Sequence, residues 1–286
     1  MISWVIFALI AAFTLATADS ISKKALRNTD EYVIAWVRQG YSLPFLAVAF
    51  FFIEIPTLDR TFWLTLLLML PLEITAIILY VKAIKISPLS VTIPFLTLSP
   101  VFIILTAFLV LGELPDKSGL VGIILIAFGG YLLNIRATTN GILGPVKAIG
   151  KERGSIFMIG VALIYSITST LGKVSIQHSS PIFFGFFYPF VLTIILTIIL
   201  GSKGILNQVV STPKIFIGIG LFISITVMSH FIALSMTDVA YMISVKRFNL
   251  IFSVIYGRFL FREKNTGERL IGSLMMITGV ISITLF

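Results

Sequence analysis

Polar and charged residues in this chain come in short clusters, and between the clusters run stretches of almost uninterrupted apolar residues. An α-helix rises 1.5 Å per residue, so about 20 apolar residues cross the hydrocarbon core of a bilayer. Ten stretches have about that length or more: 2–22, 32–53, 62–84, 87–111, 118–136, 154–177, 181–201, 213–235, 238–261 and 268–286. Charge, proline or glycine punctuates the gaps, as in Glu54–Arg60 and Gly201–Lys214. Transmembrane β-strands would show about 10 residues of strict alternation, a pattern absent here. The stretches are therefore expected to be helices, which satisfy their own backbone groups inside lipid. The first ends in Ala16-Thr17-Ala18-Asp19, which has the small residues of a cleavage site, but no Lys or Arg precedes Lys23. A signal peptide normally begins with positive charge, so the first stretch is expected to remain as a span.

Displaced by 150 residues, the sequence meets itself. Lys23 falls on Lys173, Ala83 on Ala233, Glu113 on Glu263, Gly122 on Gly272 and Gly129 on Gly279. Apolar coincidences are cheap in such a chain, but matched Gly, Glu and Lys are not. The expected organisation is a five-helix repeat over 1–136, a linker over 137–153 containing Asn140-Gly141 and Gly144-Pro145, and a second five-helix repeat over 154–286. An odd number of helices per half, joined by a linker too short and polar to cross the membrane, inserts the second half upside down. The expected fold is an all-α transmembrane bundle of ten helices formed by two inverted five-helix repeats, with a substrate site near the midplane between them.

Composition agrees with lipid as the solvent. Of the 286 residues 58% are hydrophobic and 12% charged, and the mean hydropathy is +1.08. A soluble exterior needs far more charge. The net charge of +9 fits basic loops beside membrane spans, and nucleic acid is not expected as a partner. With no cysteine and only His178 and His230, neither disulfides nor a thiolate or histidine metal site is expected, and no cofactor.

The motifs resemble the drug/metabolite transporter superfamily, in the group built from two EamA-type domains. Ser99-Pro100-Val101-Phe102 leads to Leu111-Gly112-Glu113 and then to a helix with Gly122 and Gly129-Gly130. The second copy runs Phe248-Asn249-Leu250-Ile251-Phe252-Ser253, Gly257, Phe261-Arg262-Glu263-Lys264, then Gly272 and Gly279. Arg38, in an Ala-Trp-Val-Arg setting, resembles the arginine common in that family's second helix. The likeness covers nearly the whole chain and implies ten helices around a central cavity that opens alternately to either side. Gly122 and Gly129, seven residues apart, share one helix face, as do Gly272 and Gly279. Small residues let helices approach closely in lipid, so these are expected to be packing seams, with a homodimer contact as one use of them. Glu113 and Glu263 fall at helix ends, where they can serve as caps or as gate ion pairs.

Charges deep in the spans nominate a site, because a charge at the bilayer centre costs about 2.5–3.5 kcal/mol on insertion scales and is kept only facing a cavity or a partner. Arg38 in the second span, Glu73 in the third, and the adjacent Lys246 and Arg247 in the ninth are the candidate substrate contacts. Two neighbouring cations ask for an anion, either Glu73 or the phosphate or carboxylate of a substrate. Arginine suits bidentate oxyanion recognition and lysine supplies a point charge. The pair resembles the Lys-Arg of plastid triose-phosphate translocators in the same superfamily. A further lysine of those relatives is replaced here by Leu96, so the resemblance implies anion contact and not phosphate specificity. A carboxylate in such a cavity can also exchange a proton for substrate, which makes Glu73 a candidate for proton coupling. Asp19 and Lys24 are candidates for the cavity mouth. His230, within the eighth span, is expected to be hydrogen-bonded inside the bundle, and the aromatic runs around Phe183-Phe184 and Phe186-Phe187-Tyr188 to pack or face lipid.

Fifteen Lys and Arg residues fall in the odd-numbered loops and about three in the even-numbered ones, which places the odd loops inside and both termini outside. The expected function is a secondary transporter of a small anionic or zwitterionic metabolite in the plasma membrane, with alternating access. The alternatives are an exporter of amphipathic or drug-like compounds in the same fold and a membrane receptor or scaffold that does not transport. No Ser-His or His-Glu-x-x-His arrangement points to an enzyme.

Overall fold

A computed structural model describes residues 3–87, 89–132, 153–261 and 269–285. Every regular element among them is helical: α1 (Ser3–Ala25), α2 (Glu31–Gly40), α3 (Leu43–Phe50), α4 (Arg60–Ile86), α5 (Leu89–Thr92), α6 (Ser99–Leu111) and α7 (Lys117–Leu132), then α8 (Arg153–Gln177), α9 (Pro181–Ser202), α10 (Pro213–Met236), α11 (Val239–Lys246), α12 (Asn249–Phe261) and α13 (Arg269–Leu285). Seven helical segments are long and apolar enough to cross a membrane, and three shorter apolar helices, Phe95–Leu111, Lys117–Leu132 and Ile271–Thr284, accompany them. These ten fall on the ten stretches read from the sequence. The expected linker, apart from Arg153, lies outside the described residues, as does Glu263.

Local chemistry sets the ends. Asp59 caps α4 by accepting from the Phe62 N–H at 2.9 Å, and Ser180 caps α9 by accepting from Phe183 at 3.2 Å, with Pro181 opening that helix. Such caps supply an acceptor that a helix start lacks. Gly112 ends α6 with φ 71°, where a side chain would be strained.

Three spans expected to be continuous are broken. The second turns at Tyr41–Ser42, between α2 and α3. The fourth passes from α5 through a 3₁₀ segment, Ile93–Leu98, into α6, where Pro100 has no N–H to continue a ladder. The ninth breaks at Arg247–Phe248, between α11 and α12. Under the 150-residue displacement Leu98–Ser99 falls on Phe248–Asn249, so the fourth and ninth spans break at one repeat position.

Large apolar side chains crowd the outside. Leu67 of α4 is 67% exposed and Leu109 of α6 is 71% exposed, and both have exposed apolar neighbours such as Leu68 and Leu105. Only lipid covers such a surface without penalty, and the chain is an integral multi-pass membrane protein. The interior carries hydroxyl pairs between helices, Thr14 with Thr226 (α1 to α10) and Thr65 with Ser175 (α4 to α8), both at 2.8 Å. Such pairs replace hydrophobic association as interhelical glue in a bilayer.

The packing partners come as images of one another under exchange of the halves. α1 lies on α10 and α12, and their counterparts α8 on α4 and α6; α2 meets α9, and α7 meets α13. At the last contact a Cβ on Gly122 would stand 2.6 Å from the Gly279 carbonyl, and one on Gly129 2.6 Å from the Gly272 carbonyl. The numbers run in opposite senses, so α7 and α13 are antiparallel. The glycine seams face each other inside one chain. Each seam is filled by the other.

Candidate functional site

The charged residues of the spans converge on one cavity of about 150 Å³, lined among others by Arg38, Glu73, Lys246 and Arg247. A void of this size takes a small organic group. Its apolar wall includes Leu15, Met69, Leu192 and Phe231, and its polar wall Tyr80, Tyr165 and Tyr188.

Arg38, on α2, is partnered within the first half. Its Nη1 donates to Asp19 Oδ1 on α1 at 2.7 Å, and the two side chains are 8% and 0% exposed. Tyr80 on α4 donates to the other Asp19 oxygen at 2.5 Å, Arg38 also donates to Ser22 at 3.4 Å, and its guanidinium lies 5.3 Å from the Tyr80 ring centroid. Three helices are thus tied around one compensated charge. Asp19 does not stand at a cavity mouth as expected. It is fully buried, since a carboxylate in lipid needs the cation that Arg38 supplies. Lys24, two residues beyond Ser22, is exposed and absent from the cavity wall.

Lys246 and Arg247 owe their divergence to the break between α11 and α12. Lys246 ends α11 and reaches His230 Nδ1 on α10 at 3.1 Å. Arg247 occupies the break itself; its Nη2 donates to the Ser99 hydroxyl at the start of α6, and its Nε, buried, has no hydrogen-bond partner. Ser99 in turn donates to the Leu96 carbonyl at 2.8 Å. The breaks of the fourth and ninth spans, equivalent under the displacement, are therefore joined by the Arg247–Ser99 bond. His230 is hydrogen-bonded inside the bundle, as expected.

Glu73, near the middle of α4, stands beside the hydroxyls of Thr168 on α8 and Tyr188 on α9. No ion pair within 4.0 Å joins Glu73 to Lys246 or Arg247 among the described residues. The internal salt bridge considered from the sequence is therefore not formed here, and the acid and the two cations are separate features of the wall. Among the described residues no three His, Asp or Glu side chains gather as metal ligands.

Sequence reasoning missed Asp19 as a buried partner, Tyr80 and Tyr188 as wall residues and Ser99 as an anchor. The displacement by 150 carries a signal for two of them: it superimposes Tyr80 on His230 and Arg38 on Tyr188, so each half lends the same helix positions to the cavity. The aromatic runs mostly pack. Phe50 stacks on Phe186 at 4.3 Å between ring centroids, and Phe183 on Phe187 at 5.3 Å.

No curated protein matches the chain. A solved structure, titled only as the crystal structure of a protein, is 15% identical, with 99% of this chain and 96% of that chain covered and a TM-score of 0.74; at that identity the likeness shows the fold alone. The EamA-like transporter family matches residues 2–135 and again residues 152–285. With nearly the whole length matched in two copies, the chain belongs to the EamA-like transporter family.

Proposed function

We propose that the chain is a secondary carrier for a small anionic or zwitterionic metabolite, working by alternating access, with Lys246, Arg247, Glu73 and Arg38 around the substrate. The single observation that carries this reading is the charge count of the cavity. Arg38 is compensated by buried Asp19 at 2.7 Å. That leaves two cations, Lys246 and Arg247, against one carboxylate, Glu73, on the same wall. One positive charge in excess on that wall favours an anionic group, and the unpartnered Nε of Arg247 leaves guanidinium capacity for it. Glu73 suits an ammonium or hydroxyl on the same molecule, or a proton carried in exchange. The apolar wall at Leu15, Met69 and Phe231 supports the second reading, an exporter of amphipathic compounds, for which the same cations would hold only the head.

The antiparallel contact of α7 with α13 supports two inverted five-helix repeats, over 1–136 and 154–286 with 137–153 between them. Broken spans beside the cavity support a midplane site. The orientation we propose puts the ends of α1, α4 and α9 inside. Lys85 pairs there with Glu31, and Lys203 lies 4.1 Å from the Tyr32 ring centroid, so these two basic residues share one end, which we assign to the cytoplasmic face of the plasma membrane. The test is a thermal-shift screen of purified protein against amino acids, organic acids and phosphates, repeated on Lys246→Ala/Arg247→Ala. Stabilisation by anionic or zwitterionic compounds that disappears in the double variant is expected. Equal stabilisation of both proteins would refute the site.

A further inference from the structure

We infer that the ends of the cavity are closed by two equivalent lysine latches, of which Lys173 with Glu113 forms one and Lys23 the other; this rests on the alternating-access reading. Lys173 lies one turn before the end of α8. Its ammonium bonds the Glu113 carboxylate and the carbonyl of Thr237, the residue that ends α10, at 2.9 Å. The side chains of Lys173 and Glu113 are 10% and 15% exposed, so neither is a freely solvated surface charge. The second Glu113 oxygen accepts from the Val239 N–H, the first residue of α11, at 3.0 Å. One carboxylate of the first half thus holds the end of α8 and the α10–α11 corner of the second. Asp116 adds a further tie between the same loop and α11, its N–H donating to the Tyr241 hydroxyl at 3.1 Å.

Lys23 repeats the arrangement in the other half. It sits two residues before the end of α1 and donates to the carbonyl of Ser87, which ends α4, at 2.8 Å and to that of Ile84 at 2.9 Å. Lys23 and Lys173, and Ser87 and Thr237, are each 150 residues apart. The two knots lie at opposite ends of the bundle. The Lys173 end carries the start of α4, where Asp59 meets His178 at 2.7 Å; the Lys23 end carries the finish of α4, where Lys85 meets Glu31.

The latch and the site share an element. α11 begins at Val239, held by Glu113, and ends at Lys246 on the cavity wall. A ligand that draws Lys246 and Arg247 inward therefore pulls on the helix that the latch restrains. With both knots made, neither end is open; releasing Glu113 frees one end, and releasing Lys23 the other. Lysine at a helix carbonyl end is also favourable by charge.

The absence of cysteine makes the test direct. Ser169 lines the cavity and accepts a single reporter, Ser169→Cys. Exposed Thr57 marks the Lys173 end and exposed Asn207 the Lys23 end, each as a single-cysteine sidedness control. Proteoliposomes are treated from either face with a membrane-impermeant maleimide. Glu113→Gln and, as a second variant of the same knot, Lys173→Gln are expected to raise Ser169→Cys labelling about tenfold from the Thr57 face only, a modest part of what breaking a buried ion pair releases. Lys23→Gln is expected to raise it from the Asn207 face only. Labelling of all three at the parent level, with folding intact by size exclusion, would overturn the latches and leave the carrier reading standing. Strong labelling of the parent from both faces at once would overturn the carrier reading and the latches with it.

Discussion

Arg38 and Asp19 meet at 2.7 Å with side chains 8% and 0% exposed, so the guanidinium at the cavity wall arrives already neutralised. Its role is then different from that of Lys246 and Arg247, which have no carboxylate within 4.0 Å among the described residues. Arg38 joins α2 to α1, and through Tyr80 to α4, and shapes the wall on which the free cations act.

Removing one member of that pair leaves the other charged and buried. Asp19→Asn is expected to lower stability by about 3–5 kcal/mol, and Asp19→Asn/Arg38→Met by less than Asp19→Asn alone. Thermal melting in detergent checks the order. A single variant as stable as the parent would mean that the charge finds water in the folded protein.

The α7–α13 seam makes a second expectation. A Cβ on Gly122 or Gly279 meets a backbone carbonyl at 2.6 Å, whereas one on Gly160 meets nothing within 4 Å. Gly122→Val and Gly279→Val are expected to separate the two helices and cost about 1–3 kcal/mol, while Gly160→Ala changes stability little. Melting temperatures and expression of the three variants compare them directly.

How the sequence carried these features differs from residue to residue. The ten spans were legible because an apolar run of about 20 residues has few other uses, and the repeat because Gly, Glu and Lys rarely coincide by chance. The break in the ninth span was not legible: no proline marks Arg247–Phe248. Pro100 marks the equivalent point in the fourth span, and only the displacement by 150 carries that mark across. Asp19 was misplaced because one dimension cannot tell a carboxylate at a helix end from one turned inward, and its partner Arg38 is 19 residues away. Lys246, Arg247, Arg38 and Glu73 were found by cost alone, since a charge in hydrocarbon must have a reason.

Ser99 is expected to matter through Arg247. Ser99→Ala removes the hydroxyl that accepts from Nη2, and a hydrogen bond to a charged group is worth about 1.5–3 kcal/mol. The ligand-free protein is therefore expected to melt at a lower temperature, and ligand affinity to fall as well, because Arg247 loses its anchor beside the cavity. Titration of the thermal shift against a compound found in the screen checks it.

Acid should weaken the start of α7. Asp116 accepts from the Gly119 N–H at 2.6 Å and from the Ser118 hydroxyl at 2.9 Å, and these bonds, the Gly119 one foremost, hold its carboxyl below the usual carboxylate range. A depressed value in the folded state contributes stability above the ordinary carboxylate pKa and loses it as pH falls through the lowered one. The difference in melting temperature between the parent and Asp116→Ala is therefore expected near neutrality and to shrink at acid pH.

Uptake into proteoliposomes bears on the cavity charge most directly. Radiolabelled amino acids, small carboxylates and inorganic phosphate are offered to vesicles containing the parent, Lys246→Ala/Arg247→Ala, or Glu73→Gln. The parent is expected to accumulate or exchange at least one of them, and the double variant to lose that flux while still folding. Flux in the double variant equal to that of the parent would contradict the account.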